Sequence, residues 1–154
     1  MRALLFFSVL ILGACSGSTL PDPVGTAPVP MPDTLVDAEW LKKHLDDPDL
    51  VVLDASVIVE PDEAGNLRVI NGRANYESGH IPNAGFADLM GDLSDPDSQL
   101  QFGIPSPEQF AAAMGKLGVG DDSRVVLYDT MGSSWAARVW WMLRWIGFDR
   151  AALL

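Results

Sequence analysis

Val125-Val126-Leu127-Tyr128 is an apolar run that stops at a carboxylate, Asp129. A short unbroken apolar run suits a strand buried on both faces, because helices cover both sides of a parallel sheet. The flanking residues agree. Asp121-Asp122-Ser123 makes a turn just before the run, and Ser106-Pro107-Glu108-Gln109 reads as a helix start. Serine supplies the cap, proline suits the first helical position, and Gln109 completes a capping box. Phe110, Met114 and Leu117 form the apolar stripe of that helix, and Gly118 is a natural stop. After Asp129 a short loop leads into a helix from about Ser134 to Ile146, stopped by Gly147. Asp149 to Leu154 reads as the start of a further strand.

Towards the N-terminus the pattern repeats. Asp37 caps a helix whose apolar face includes Trp40, Leu41 and Leu45, and Asp46-Asp47-Pro48-Asp49 breaks it. Leu50-Val51-Val52-Leu53 is a second apolar run, ending at Asp54. Residues Val57 to Arg73 contain Pro61-Asp62 and Gly65-Asn66, which predicts a loop or hairpin insertion. Helices alternating with such strands define an α/β class, a parallel sheet flanked by helices. The domain is expected over residues 34–154. The last residues, Ala151-Ala152-Leu153-Leu154, have no closing helix after them, so the sheet is expected to be incomplete at its C-terminal end.

The leader has a different grammar. Met1 to Ala14 place Arg2 before a mostly apolar run from Ala3 to Leu12, followed by small residues. That is a secretory signal layout. The apolar run is too short to span a bilayer, which needs roughly 20 residues. Leu12-Gly13-Ala14-Cys15 resembles a bacterial lipobox, in which the cysteine is lipidated and becomes the first residue of the mature chain. Residues 15–33, with five prolines among Ser16 to Asp33, read as an extended tether. The expected location is therefore a membrane-anchored lipoprotein facing the periplasm, with Ser16 favouring the outer membrane.

Composition excludes several classes. The formal net charge is -11 and no basic patch stands out, which argues against a nucleic-acid partner. Cys15 is the sole cysteine, so no intrachain disulfide or cysteine zinc site is possible. With only His44 and His80 besides, neither a metal site nor a cofactor is expected.

Tyr76-Glu77-Ser78-Gly79-His80-Ile81-Pro82-Asn83-Ala84 resembles the rhodanese signature, with Asn83 where glycine is usual and Ala87 where a larger apolar residue is common. Leu53-Asp54-Ala55-Ser56 looks like the end of an early strand in thiosulfate and mercaptopyruvate sulfurtransferases. Val125 to Asp129, followed by Ala136-Ala137-Arg138-Val139-Trp140-Trp141-Met142-Leu143-Arg144, looks like the N-terminal domain of the tandem members.

The resemblance implies a rhodanese-like fold and the family's transfer of sulfane sulfur through a cysteine persulfide. It implies that the catalytic cysteine belongs to a second rhodanese domain, a partner missing from this chain. Asp129 stands at the equivalent position. A carboxylate can fill an amide nest there but offers no sulfur nucleophile. Cys15, at the leader's end, is no substitute, so no catalytic residue is expected. The alternative is a catalytically silent rhodanese-like binding module on a lipoprotein.

Other residues keep two readings. His80 faces an interdomain cleft, or bonds backbone groups and fixes a turn. Arg138 pairs across a domain interface, or is structural. Asp129 is a general base or, more ordinarily, a cap. Trp135, Trp140, Trp141 and Trp145 line a helix that is covered by the sheet and by a partner domain, or form a binding site. Trp141 and Trp145 share a face. Arg138 lies nine residues after Asp129, and Asp129 stands where a cysteine would be needed, which excludes the cysteine phosphatases that share this fold.

Overall fold

The computed structural model describes residues 30–154. Helix α1 (Ala38–His44) leads to strand β1 (Leu50–Asp54). The hairpin of β2 (Val57–Pro61) and β3 (Leu67–Asn71) comes after it. Next come α2 (Arg73–Ser78), the two-residue β4 (Gly85–Phe86) and α3 (Pro107–Lys116). The chain continues through β5 (Arg124–Tyr128), α4 (Ser134–Trp145) and β6 (Ala151–Leu153).

Strands β4, β1, β5 and β6 make one sheet in that order, and every pairing in it is parallel. The β2–β3 hairpin stands apart as an antiparallel pair. The apolar runs owe their continuity to cover on both faces. Leu53, Val125 and Leu127 point into a core with Phe110, Met114, Val139, Met142 and Leu143 of α3 and α4. Their neighbours Val52 and Val126 point the other way, towards Leu41 of α1 and Val36. Each such side chain, fully buried, contributes about 1.5–3 kcal/mol of hydrophobic stabilisation.

The helix starts follow local chemistry. The Asp37 carboxylate accepts the Trp40 N–H at 2.7 Å and the Ser106 hydroxyl accepts the Gln109 N–H at 3.1 Å. The expected capping box, however, is not closed. The Gln109 side chain reaches away and donates to the carbonyls of Ser94 and Asp92, at 2.9 and 3.4 Å. Those loop carbonyls have no strand partner, so they compete successfully for the amide. Gly118 and Gly147 end their helices with φ of +86° and +88°.

Two elements escape sequence reading. Helix α2 is a short piece with no side-chain cap and no buried residue, so it has neither start signal nor apolar stripe. Strand β4 is too short for any periodicity. Both are made by tertiary contacts. At the entry to α2, Gly72 lies against the end of β1, and a Cβ there would stand 2.1 Å from the Ser56 carbonyl oxygen. Because that neighbour is backbone, Gly72→Ala is expected to cost about 3 kcal/mol, read as a lower urea midpoint. An unchanged midpoint would show that the contact yields freely.

At the opposite end of the sheet, the Arg124 guanidinium is buried, with 3% of its side chain exposed. It donates to Asp49 through Nε and Nη2 at 2.7 and 2.8 Å, and to Asp47 through Nη2 at 2.7 Å. Asp47 also meets His44 Nδ1 at 2.8 Å. Hydrogen bonds from Arg124 hold both carboxyls below the ordinary carboxylate range. The breaker segment after α1 is thereby locked to the start of β5.

Candidate functional site

The chain runs from β1 to β4 on one side, then crosses to β5 on the other. Strand order therefore reverses between β1 and β5. In open α/β sheets, sites form beyond the carboxyl ends of the strands at such a switch point. Here those ends carry Asp54-Ala55-Ser56 and Tyr128-Asp129-Thr130. The two termini are joined, since the buried Ser56 hydroxyl accepts the Thr130 N–H at 3.2 Å. Asp54 is also buried, and its carboxylate accepts the Ser56 N–H at 2.8 Å.

Asp129 organises the loop that leads into α4. One carboxylate oxygen accepts the N–H groups of Met131 and Ser133, at 2.7 and 2.9 Å. The other accepts those of Trp135 and Ala136, both at 2.8 Å. Four backbone donors thus converge on one side chain, two from the loop and two from the first turn of α4. To wrap this tightly the loop adopts left-handed backbone at Gly132 and at Ser133, with φ of +69° and +63°. The unpaired amides of a helix start and their partial positive charge make such a cradle selective for an anion. A general base needs a second titratable group in hydrogen-bond reach, and the hydrogen bonds Asp129 makes all come from backbone.

The rhodanese-like segment forms the neighbouring wall. The Tyr76 hydroxyl donates to the Ala84 carbonyl at 2.7 Å, closing the segment on itself. His80 stacks on Tyr76 with ring centroids 4.0 Å apart, and its Nδ1 lies 2.8 Å from the Tyr76 carbonyl oxygen. Its ring is otherwise exposed. Asn83 has φ +65°, which accounts for glycine at that place in the signature. Asparagine is among the few residues that enter this region without large strain. The Ile81 N–H donates to the Tyr128 hydroxyl at 3.1 Å, tying the wall to the residue before Asp129. Burial pushes the Tyr128 phenol up to about 12.

Arg138 turns towards the connection between β4 and α3. Its Nη2 donates to the Phe102 carbonyl, and its buried Nε has no partner among the described residues. Burial lowers its pKa. The tryptophans divide. Trp140 donates its indole N–H to the Ala151 carbonyl at 3.0 Å, anchoring α4 to β6. Trp141 and Trp145 lie parallel on the outer face, 46% and 42% exposed, with centroids 6.4 Å apart. Trp135 packs on Phe102 at 5.0 Å. Sequence reading missed Ser56 and Phe102. Serine in Leu53-Asp54-Ala55-Ser56 carried no signal of its bond across the sheet, and Phe102 lies in a loop without periodicity.

Among the described residues, no group of three or more His, Cys, Asp or Glu side chains is placed to hold a metal ion. Cys15, the leader and residues 15–29 of the tether lie outside the described residues.

Comparison with known proteins gives a consistent result. The family model for the rhodanese-like domain matches residues 37–154. A 3-mercaptopyruvate sulfurtransferase of Escherichia coli (strain K12) is 40% identical over 119 residues, covering 77% of this chain and 40% of the relative. Thiosulfate/3-mercaptopyruvate sulfurtransferase 2 of Arabidopsis thaliana is 38% identical over 128 residues, covering 83% of this chain and 35% of the relative. The chain therefore spans well under half the length of these relatives. A crystal structure of a 3-mercaptopyruvate sulfotransferase from Escherichia coli superposes with a TM-score of 0.67 at 39% identity, over 79% of this chain and 44% of that one. Motif, family match and overall likeness agree: the chain belongs to the rhodanese-like domain family, and it is homologous to the 3-mercaptopyruvate and thiosulfate sulfurtransferases.

Proposed function

We propose that this chain is the non-catalytic, N-terminal-type half of a 3-mercaptopyruvate or thiosulfate sulfurtransferase. On this reading it works with a catalytic rhodanese domain that supplies the persulfide cysteine. The observation that carries it is the self-filled cradle. Asp129 occupies four amides that would otherwise be available to a thiolate or persulfide. A carboxylate oxygen cannot accept and release sulfane sulfur, because that step needs a polarizable sulfur nucleophile. The test is an assay of the purified chain with cyanide and either thiosulfate or 3-mercaptopyruvate. No thiocyanate above a buffer control is expected, and turnover would overturn the proposal.

The leader supports a location. We propose that Cys15 carries lipid and anchors the domain at a periplasmic membrane face through a proline-rich tether. Cells expressing the chain and fed labelled palmitate should yield a labelled band. Cys15→Ser should abolish the label and release the protein from the membrane fraction. Equal labelling of both forms would remove the anchor.

A further inference from the structure

The connection from β4 to α3, residues 87–106, contains no helix or strand. Irregular loops of this length are uncommon in compact domains, and those that are held in place by specific contacts are candidates for function. The two halves of this one are held differently. In the first half, Asp88 accepts the N–H groups of Met90 and Gly91 and the side-chain amide of Asn71. The Ser94 hydroxyl donates to the Leu89 carbonyl, and Gln109 holds the Asp92 and Ser94 carbonyls. These contacts fasten the first half to itself, to β3 and to α3.

The second half, residues 95–103, is a loop closed at its neck, where the Asp95 N–H donates to the Gly103 carbonyl at 3.0 Å. Its tip is solvated, and Leu100 is 77% exposed. It meets the body mainly through Phe102, whose ring packs on Trp135 and whose carbonyl accepts from Arg138. The remaining tie, from the Gln101 side chain to the Val69 carbonyl, is long at 3.4 Å.

Two unfavourable features meet at that contact. Phe102 has φ +61°, a region that a bulky side chain enters only under constraint. Among the described residues the buried Arg138 Nε has no partner, and the guanidinium, which lies 5.9 Å from the Phe102 ring centroid, has as its one acceptor a neutral carbonyl. A planar guanidinium gains two charge-assisted bonds from an oxyanion where a carbonyl gives one.

We propose that residues 95–103 form a hinged strap, latched across the start of α4 by Phe102 and Arg138, which a small oxyanion releases by taking Arg138 from the Phe102 carbonyl. Release lets Phe102 leave the left-handed region and pairs Nε. It uncovers Trp135, whose N–H helps hold Asp129, so the strap borders the candidate site. The strap and its release do not depend on the proposed sulfurtransferase role.

Hydrogen–deuterium exchange of the purified full chain tests it, with sulfate as the probe and chloride at matched ionic strength as the control. Sulfate ordinarily strengthens folded states, so local loss of protection runs against its general effect. Amides of residues 95–103 should exchange about fivefold faster in sulfate than in chloride, while residues 88–94 and β5 keep their protection. Arg138→Met keeps the apolar stem and removes the donors, so its strap should exchange fast in both salts. Should that variant also lose protection in β5, Arg138→Lys replaces it, with the sulfate response again expected to vanish. Equal exchange of residues 95–103 in the two salts would overturn the proposal. So would a sulfate response retained in the variants, or exchange of residues 95–103 in step with 88–94 and β5.

Discussion

Asp129→Cys, made with Cys15→Ser so that one thiol remains, should take up sulfane sulfur from thiosulfate, and the parent chain should take up none. The reason is geometric. The cysteine sulfur would sit close to the place of the aspartate carboxyl carbon, one bond inside the two oxygens. Each oxygen now accepts two N–H groups at 2.7–2.9 Å. From the inner position the same four donors face a larger atom that tolerates longer contacts. Four donors and the first turn of α4 stabilise a thiolate, and helix starts lower thiol pKa values by about one unit or more. The thiolate attacks the outer sulfur of thiosulfate, the S–S bond breaks, sulfite leaves with the electron pair, and a persulfide remains. Intact mass should rise by one sulfur atom per chain, and cyanide should remove it as thiocyanate. A thiol that titrates near its ordinary value of about 8.5 and gains no sulfur would show that the cradle collapses without its carboxylate. Asp129→Ala separates holding the loop from chemistry. It leaves the four donors to water or unpaired, and should cost about 2–3 kcal/mol in urea unfolding.

Arg124→Ala should cost about 3 kcal/mol, the largest loss expected from a side-chain truncation outside the apolar core. Removing the guanidinium leaves Asp47 and Asp49 facing each other across its former place, with half-buried carboxylates and no shared cation. Its contact with the Trp40 ring, 5.9 Å from the centroid, is lost as well. The pH dependence gives a second readout. Both carboxyls titrate below their ordinary range in the folded chain because Arg124 bonds their charged forms. A carboxyl depressed on folding contributes stability that is fully present above its unfolded pKa of about 3.9. That contribution is lost as pH falls through the folded value. The parent chain should therefore lose stability from about pH 4 downward, and the Arg124→Ala chain should show a shallower acid limb. Parallel acid limbs in the two proteins would mean that the network does not set acid stability.

How far the fold was legible depended on where each element found its stabilisation. Leu50–Leu53 and Val125–Tyr128 announced themselves because a strand covered on both faces must be apolar throughout. The starts of α1 and α3 were legible because a carboxylate or hydroxyl and the amide it caps are three residues apart. Helix α2 and strand β4 were not legible, since Gly72 against Ser56 and the pairing of Gly85 with Leu53 are contacts between distant segments. Gln109 misled for the same reason. Its sequence partner was Ser106, but carbonyls of a loop that folding brought beside it offered better bonds.

The candidate site divides along the same line. The family likeness, the carboxylate at position 129 and the helix start after it were readable along the chain, because all of them are local. At Asn83 the sequence showed a departure from glycine, and the left-handed backbone behind it appeared only in the structure. That four amides meet on Asp129, that Ser56 bridges the two strand ends and that Arg138 holds Phe102 became visible once the chain was folded. Each of these joins groups whose separation along the chain carries no periodic signal. Convergence of backbone donors on one anion is a property of how a loop closes, and closure is decided by the sheet beneath it.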